Sequence, residues 1–496
     1  MIRTLHHINN SLKAIALAVA ASFSTFVTAQ NVNVQVGSIT TVYTANQAGE
    51  MVYTESGRIL TINGKAFCTD SISQITFGTD IIAEDNTVSI VYKDTIAQLT
   101  VAGNIAQHLS VSVSGADVSI VQSADLTDEV TYILSGTTTD GSFYMDGETK
   151  ATITLDGVTI NSLKGGAVTI DNGKLINIIV EDGTQNNFTD ASNGLQKACF
   201  FVNGHAEWSG NGMVNITGNT RHAYFSDEYT LLDESFGTIN ILRAVSDGMH
   251  INQYFQMNGG NINVSNVAGD GIDVGANLTG DEFDGQMFIN GGTLNVSVTA
   301  DAVKGLKADS SVTISGGNIT ITTTGNAVYD ATSADISSSA ALKTGGAFTM
   351  TDGTLTMTST GSGGKGINAT GDINISGGEL YVTTTGAVYV YDALDSKAQA
   401  IKTDGNITIN GGKVYSLASA YEAKAFKTDY TFAINGGTVL GISAKNSEPT
   451  GGSQSFKSYK SQNIKGGETI SYDGVTYTIP SVYNNSSARV IVSAAQ

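Results

Sequence analysis

A glycine-anchored phrase returns along most of the chain, and it limits the fold more than any other feature. Asn258-Gly259-Gly260-Asn261-Ile262-Asn263-Val264 is followed by Asn290-Gly291-Gly292-Thr293-Leu294-Asn295-Val296 and by Ser315-Gly316-Gly317-Asn318-Ile319-Thr320-Ile321. Shorter copies stand at Asp352-Gly353, Gly377-Gly378, Gly411-Gly412 and Gly436-Gly437, with weaker ones at Asp156-Gly157, Asn211-Gly212 and Phe236-Gly237. From Gly212 to Gly437 the anchors are 25, 23, 32, 25, 36, 25, 34 and 25 residues apart. A unit of this size is one turn of an array that buries its apolar face only by stacking on its neighbours.

Within a unit the residues alternate apolar and polar over short runs rich in Thr, Val and Ile, separated by Gly and Asn, which is strand chemistry. The expected fold is therefore all-β: a right-handed parallel β-helix of three-strand coils of about 25 residues, each strand pairing with its equivalent about 4.8 Å away. Ile319, Ile321, Leu355, Met357, Leu380 and Val382 are the expected inward stack. Proline would interrupt such ladders, and the 2 prolines, Pro449 and Pro480, both lie near the C-terminus. The longer units carry their extra residues at 276–285, 331–340 and 392–398, read as insertions between the second and third runs and so projecting from one edge.

The repeat is expected to occupy 126–445, after a β-rich N-terminal region at 30–125. A Ser/Gly loop and a C-terminal hairpin cap are expected over 446–496, with the turn at Asp473-Gly474. Residues 1–29 read as a signal peptide: Arg3, His6, His7 and Lys13 precede the apolar run 14–21, and Val27-Thr28-Ala29 offers small residues for cleavage. An exported protein is expected, periplasmic, cell-surface or extracellular. Cys199, in an apolar run, reads as a buried small hydrophobe, and whether it pairs with Cys68 stays open.

Removing that leader takes Arg3 and Lys13 from the 25 basic residues and leaves 23 − 45 = −22. A chain this acidic does not draw nucleic acid or an anionic membrane by its bulk field. No later apolar stretch reaches the roughly 20 residues of a membrane helix, so no membrane insertion is expected. With 41% hydrophobic residues it is also no disordered acidic tail.

In a stacked fold, equal offsets from the anchor become columns. One column reads His222, Asp247, Asp270, Asp301, Asn326, with Asp273 close by in Asp270-Gly271-Ile272-Asp273. Carboxylates about 5 Å apart are unfavourable unless a proton or a cation intervenes, and an oxygen-rich cluster suits Ca²⁺. The alternative is that these are corner residues bonded to turn backbone. A second column reads His250, Glu282, Lys307, Lys343, Asn368, Lys402, Lys427, a stripe of point charges for sugar carboxylates or simply solvated lysines. Tyr329, Tyr381, Tyr389, Tyr391, Tyr415 and Tyr421 offer rings for sugar stacking, although cross-strand packing explains most of them.

With the segments Leu155-Asp156-Gly157-Val158-Thr159-Ile160 and Val180-Glu181-Asp182-Gly183-Thr184-Gln185-Asn186-Asn187 added to the repeat, the chain resembles the secreted bacterial carbohydrate-binding domain-containing proteins over about residues 130–440. The resemblance implies a pectate-lyase-like β-helix that binds polygalacturonate and carries calcium, and it assigns Asp247, Asp270, Asp273 and Asp301 to the ion. Bridging Ca²⁺ would also offset the repulsion between an acidic protein and a polyuronate. Lys304, Lys307, Lys343, Lys402 and Lys427 are the expected carbohydrate-binding residues, with no catalytic residue. Non-catalytic, calcium-dependent binding of acidic polysaccharide is the expected function. A cell-surface adhesin or structural solenoid is the alternative, and a lyase using Lys304 or Lys307 as base comes third.

Overall fold

The computed structural model describes residues 30–277 and 280–494. The expected leader, 1–29, lies outside them. The described residues fall into two compact units, one of residues up to 88 together with 99–107, the other of 89–98 and everything from His108 onward. Residues 108–125, expected in the N-terminal region, therefore belong to the second unit.

In the first unit, strand Asn31–Val36 pairs antiparallel with Ile39–Tyr43 and with Gln74–Gly78. Val52–Thr54, Ile59–Ile62 and Lys65–Cys68 form a small antiparallel sheet. Val32, Val34, Tyr43, Leu60, Ile62 and Phe67 share one core. The single α-helix among the described residues, Ala45–Ala48, begins with a Thr44/Gln47 capping box. No described helix is long and apolar enough to cross a membrane.

The second unit is all-β and built almost wholly from parallel ladders. Each coil supplies three strands: one after the glycine anchor, such as Thr293–Val298, a second such as Lys304–Ala308, and a third such as Val312–Ile314. Each pairs with its equivalent in the next coil, here Asn318–Thr323, Ala340–Thr344 and Phe348–Met350. Three faces result. The second is a separate 13-stranded sheet running from Leu109–Ser114 to Phe426–Lys427.

The anchor glycines explain the corners. Gly260, Gly292, Gly317, Gly353, Gly378, Gly412 and Gly437 have φ between 73° and 86°, a region that costs an L-residue roughly 1–2 kcal/mol. A Cβ on Gly412 would also stand 2.7 Å from the Gly377 carbonyl oxygen of the coil before. Inside, Ile319, Leu355, Leu380 and Val414 stack in register, as do Ile321, Met357 and Val382, all essentially buried. Each such side chain contributes about 1.5–3 kcal/mol. Outside the first face, Asn187, Asn215, Asn240, Asn263 and Asn295 form a ladder in which each Nδ2 donates to the previous Oδ1 at 2.8–2.9 Å.

Two expectations need correction. Val328–Asp330 folds back on Asp335–Ser337, and Tyr389–Tyr391 does the same on Leu394–Ser396. These two hairpins leave the corner before the second-face strand, whereas the 276–285 insertion follows it, so the insertions do not share one edge. At the C-terminus, Lys457–Lys465 is a strand and not part of a loop. It pairs antiparallel with Asn484–Ser493, which lies antiparallel on the last first-face strand, Thr438–Ser443. The expected hairpin forms between Thr469–Tyr472 and Val475–Thr478. Cys68 and Cys199 are both free thiols, Cys68 exposed and Cys199 buried.

Candidate functional site on the second face

Alternation along the second-face strands sends every other side chain outward, and the pairing register aligns these into one column. It reads Tyr144, Thr169, Phe201, Phe225, His250, Asp273, Lys307, Lys343, Asn368, Lys402, Lys427. The lysine column expected from the sequence is therefore formed, with one exchange. Glu282 lies in the 276–285 insertion, and Asp273 takes its place between His250 and Lys307.

The aromatic end is held by packing. Phe201 and Phe225 have ring centroids 5.7 Å apart, and Phe225 stacks on His250 at 4.8 Å. Lys197 Nζ stands 4.9 Å from the Phe201 ring and 5.0 Å from the Phe225 ring, and it also pairs with Asp227 at 2.6 Å. These two phenylalanines escaped the sequence reading, which sought aromatics among tyrosines of later coils. Their separation of 24 residues, close to the repeat, was the available signal.

At the basic end, Lys307 Nζ meets Asp273 Oδ1 at 2.8 Å and Asp309 at 3.5 Å. Lys402 meets Asp404 at 2.8 Å, and Lys427 pairs with Asp429. Lys343 has no carboxylate partner among the described residues. Burial alone would lower the Lys307 pKa, but Asp273 outweighs it and holds the ammonium firmly protonated.

The aspartates do not assemble as expected. The Asp270 N–H donates to Asp247 Oδ1 at 2.7 Å, and the Lys304 N–H donates to Asp270 Oδ1 at the same distance. The corner column is thus His222, Asp247, Asp270, Lys304, with a lysine where Asp301 was expected. Asp301 is exposed in a different column, accepting the Asn326 N–H at 2.7 Å. Lys304 is buried, its Nζ donating to the Ala302 carbonyl at 2.5 Å, and so does not join the half-buried lysines of the outward column.

Asp247 lies among imidazoles. Its Oδ2 is 3.2 Å from His222 Nδ1 and 3.2 Å from His250 Nδ1, and His250 Nδ1 is also 3.2 Å from Asp273 Oδ2. Burial would raise the Asp247 carboxyl, but the two imidazoles and the Asp270 N–H outweigh it and hold it well below the usual carboxylate range. Burial would lower His250, but Asp247 and Asp273 raise it to about 9. Asp270 goes the other way, raised by burial to about 6 against the opposing pull of Lys304. Calcium takes six to eight oxygens in a loose shell. Two imidazoles and the Lys307 ammonium among these carboxylates do not fit such a shell, and the four-aspartate calcium centre is not formed.

Most of the expected tyrosines pack on one another. Tyr381, Tyr415 and Tyr477 form one cluster, and Tyr329 stacks on Tyr391. Tyr421 is exposed beneath Lys445.

Residues 114–388, more than half of the chain, match the family of carbohydrate-binding domain-containing proteins. The chain belongs to this family. A solved structure described as the polysaccharide lyase-like protein from C. thermocellum, a gadolinium derivative, is 22% identical over 58% of this chain and 96% of its own, with a TM-score of 0.40. No curated protein matches. In this carbohydrate-binding domain-containing protein, the matched span holds the second-face column from Tyr144 to Asn368. The last two lysines, Lys402 and Lys427, lie beyond it.

Proposed function

We propose that this protein binds polysaccharide without cleaving it, laying an extended acidic glycan of the polygalacturonate class along the second face. The observation that carries the proposal is the single column that runs from Phe201, seated on the buried Phe225, to Lys307, Lys343, Lys402 and Lys427. Coils about 4.8 Å apart repeat a ring or a charge at a short, regular interval, which suits a polymer that is itself periodic. Asp404 and Asp429 are 61% and 84% exposed, and ion pairs of that kind contribute about 0–1 kcal/mol. A uronate carboxylate displaces such a partner at small cost, and Lys343 has none to displace.

Absence of catalysis goes with the burial of Lys304, the nearest base for a lyase, and with the enclosure of Asp247 by two imidazoles. Calcium enters the proposal as a bridging ion between exposed carboxylates of the protein and those of the glycan, with no preformed cage. Export from the cytoplasm and a right-handed winding, the hand taken by about 98% of parallel crossovers, belong to the same reading.

Retention on a polygalacturonate affinity gel tests it. The wild type should be retarded, and Lys343→Gln/Lys402→Gln/Lys427→Gln should run free. Unchanged retardation of that variant would sink the reading. Retention that survives EDTA would remove calcium from it, and ultraviolet absorbance from unsaturated uronates growing with time would overturn the absence of catalysis.

A further inference from the structure

The atoms that converge at this corner are of two kinds, imidazole nitrogens and carboxylate oxygens. His222 Nδ1, Asp247 Oδ2, His250 Nδ1 and Asp273 Oδ2 are linked by three successive separations of 3.2 Å. One ligand atom from each of His222, Asp247 and His250 lies within 4.8 Å of the other two. Donors at 2.0–2.2 Å from a tetrahedral zinc-like ion stand on the order of 3.3 Å from each other.

Each carboxylate is divided between scaffold and cluster. Asp247 Oδ1 accepts the Asp270 N–H at 2.7 Å, which leaves Oδ2 for the imidazoles. Asp273 Oδ1 takes the Lys307 ammonium at 2.8 Å, which leaves its Oδ2 facing His250. The partners beyond the cluster thus orient its ligands, as outer groups do in metal sites. The rings are fixed too: His250 stacks on Phe225, and His222 lies 5.4 Å from the same ring and 4.7 Å from His250.

One atom has no account without a ligand. His222 is 4% exposed, and its buried Nδ1 has no hydrogen-bond partner among the described residues, although Asp247 Oδ2 stands 3.2 Å away. A buried imidazole nitrogen 3.2 Å from a carboxylate oxygen, with no hydrogen bond between them, is the arrangement two ligands of a shared ion take up.

We infer that His222, Asp247, His250 and Asp273 form a binding site for one divalent transition ion of the zinc class. Two imidazoles and two carboxylates select Zn²⁺ and its neighbours over Ca²⁺ or Mg²⁺, which prefer oxygen alone. Three successive coils would then be tied by one ion, next to the aromatic end of the second-face column.

The full chain, stripped with chelator and titrated with zinc alone, should bind one equivalent, and cobalt(II) should give the intense visible absorption of a tetrahedral site. His250→Gln, at the more exposed ligand, should weaken zinc by about tenfold or more, and Asp273→Asn by about 10–100-fold. His205→Gln, on another face, should change nothing. Absence of the cobalt band in the wild type would overturn the inference whether or not any variant folds. So would zinc binding equal in wild type and His250→Gln, or a preference for calcium over zinc. Because the affinity gel reads the lysines and this titration reads the imidazoles, either idea can fail alone.

Discussion

Tyr329 and Tyr391 lie face to face, their ring centroids 4.0 Å apart and their planes within 8°. They belong to the two hairpins that leave the corner before the second face, and the Tyr389 hydroxyl, which accepts the Tyr329 N–H at 3.2 Å, adds a further tie. Residues far apart in sequence thus fasten the hairpins to each other. Tyr391→Ala should remove about 0.5–1.5 kcal/mol of ring pairing beyond the lost area. Limited proteolysis should then cut near 331–335 and 392–395 while the circular dichroism of the sheets stays unchanged.

Lys365 gives a pH test. Its Nζ is buried among neutral acceptors, the Gly363 carbonyl, Ser396 Oγ and the Lys397 carbonyl, and burial lowers its pKa to about 7. The unfolded chain, with an ordinary lysine near 10.4, holds more protons than the folded one between about pH 7 and 10. This group therefore makes stability rise with pH across that window. Lys365→Met should flatten the rise, and urea midpoints at pH 7 and pH 9.5 would measure it. An equal slope in both proteins would refute the neutral buried amine.

Asp270 has the opposite sign. Burial raises its pKa to about 6, so what it contributes below the unfolded value is lost as pH rises through about 6. Asparagine does the same backbone-accepting work in this corner region, as Asn326 does for the Ser362 N–H at 2.9 Å. Asp270→Asn should therefore stabilise the fold above pH 7 by on the order of 2–3 kcal/mol, with little change at pH 4. Thermal midpoints at the two pH values decide it.

The anchors make the third stability test. Gly412→Ala puts a side chain at φ 78° and 2.7 Å from a carbonyl oxygen, which should cost roughly 1–3 kcal/mol. Gly173 has neither a positive φ nor an atom within 4 Å of a new Cβ, and Gly173→Ala should fall within about 0.5 kcal/mol of wild type. Chemical denaturation of the two variants gives the comparison.

The glycines that set these corners are also why the solenoid was legible. A positive φ recurs at each anchor, so sequence spacing and coil geometry report the same constraint, and the inward Ile and Leu positions follow by alternation. The site was harder to read because an offset counted from the anchor assumes equal path lengths through every corner. Between Gly292 and Asp301 the first-face strand extends to Val298, two residues beyond the end of its equivalent in the coil before. Asp301 consequently slips out of the column, and Lys304 arrives there. Glu282 yielded to Asp273 for a similar reason, since an insertion after the strand cannot supply a ladder residue. The His222 contact with Asp247 crosses coils at a corner, where neither a period of two nor a motif gives warning.

The antiparallel strand Asn484–Ser493 has a consequence larger than its ten residues. An exposed parallel edge is a template for the next chain, and stacked coils that ended at Thr438–Ser443 would invite end-to-end growth into a fibre. The reversed strand and its lysine-bearing neighbour, Lys457–Lys465, occupy that edge. That segment works as a stopper on this edge, closing the first-face ladder to a further parallel strand.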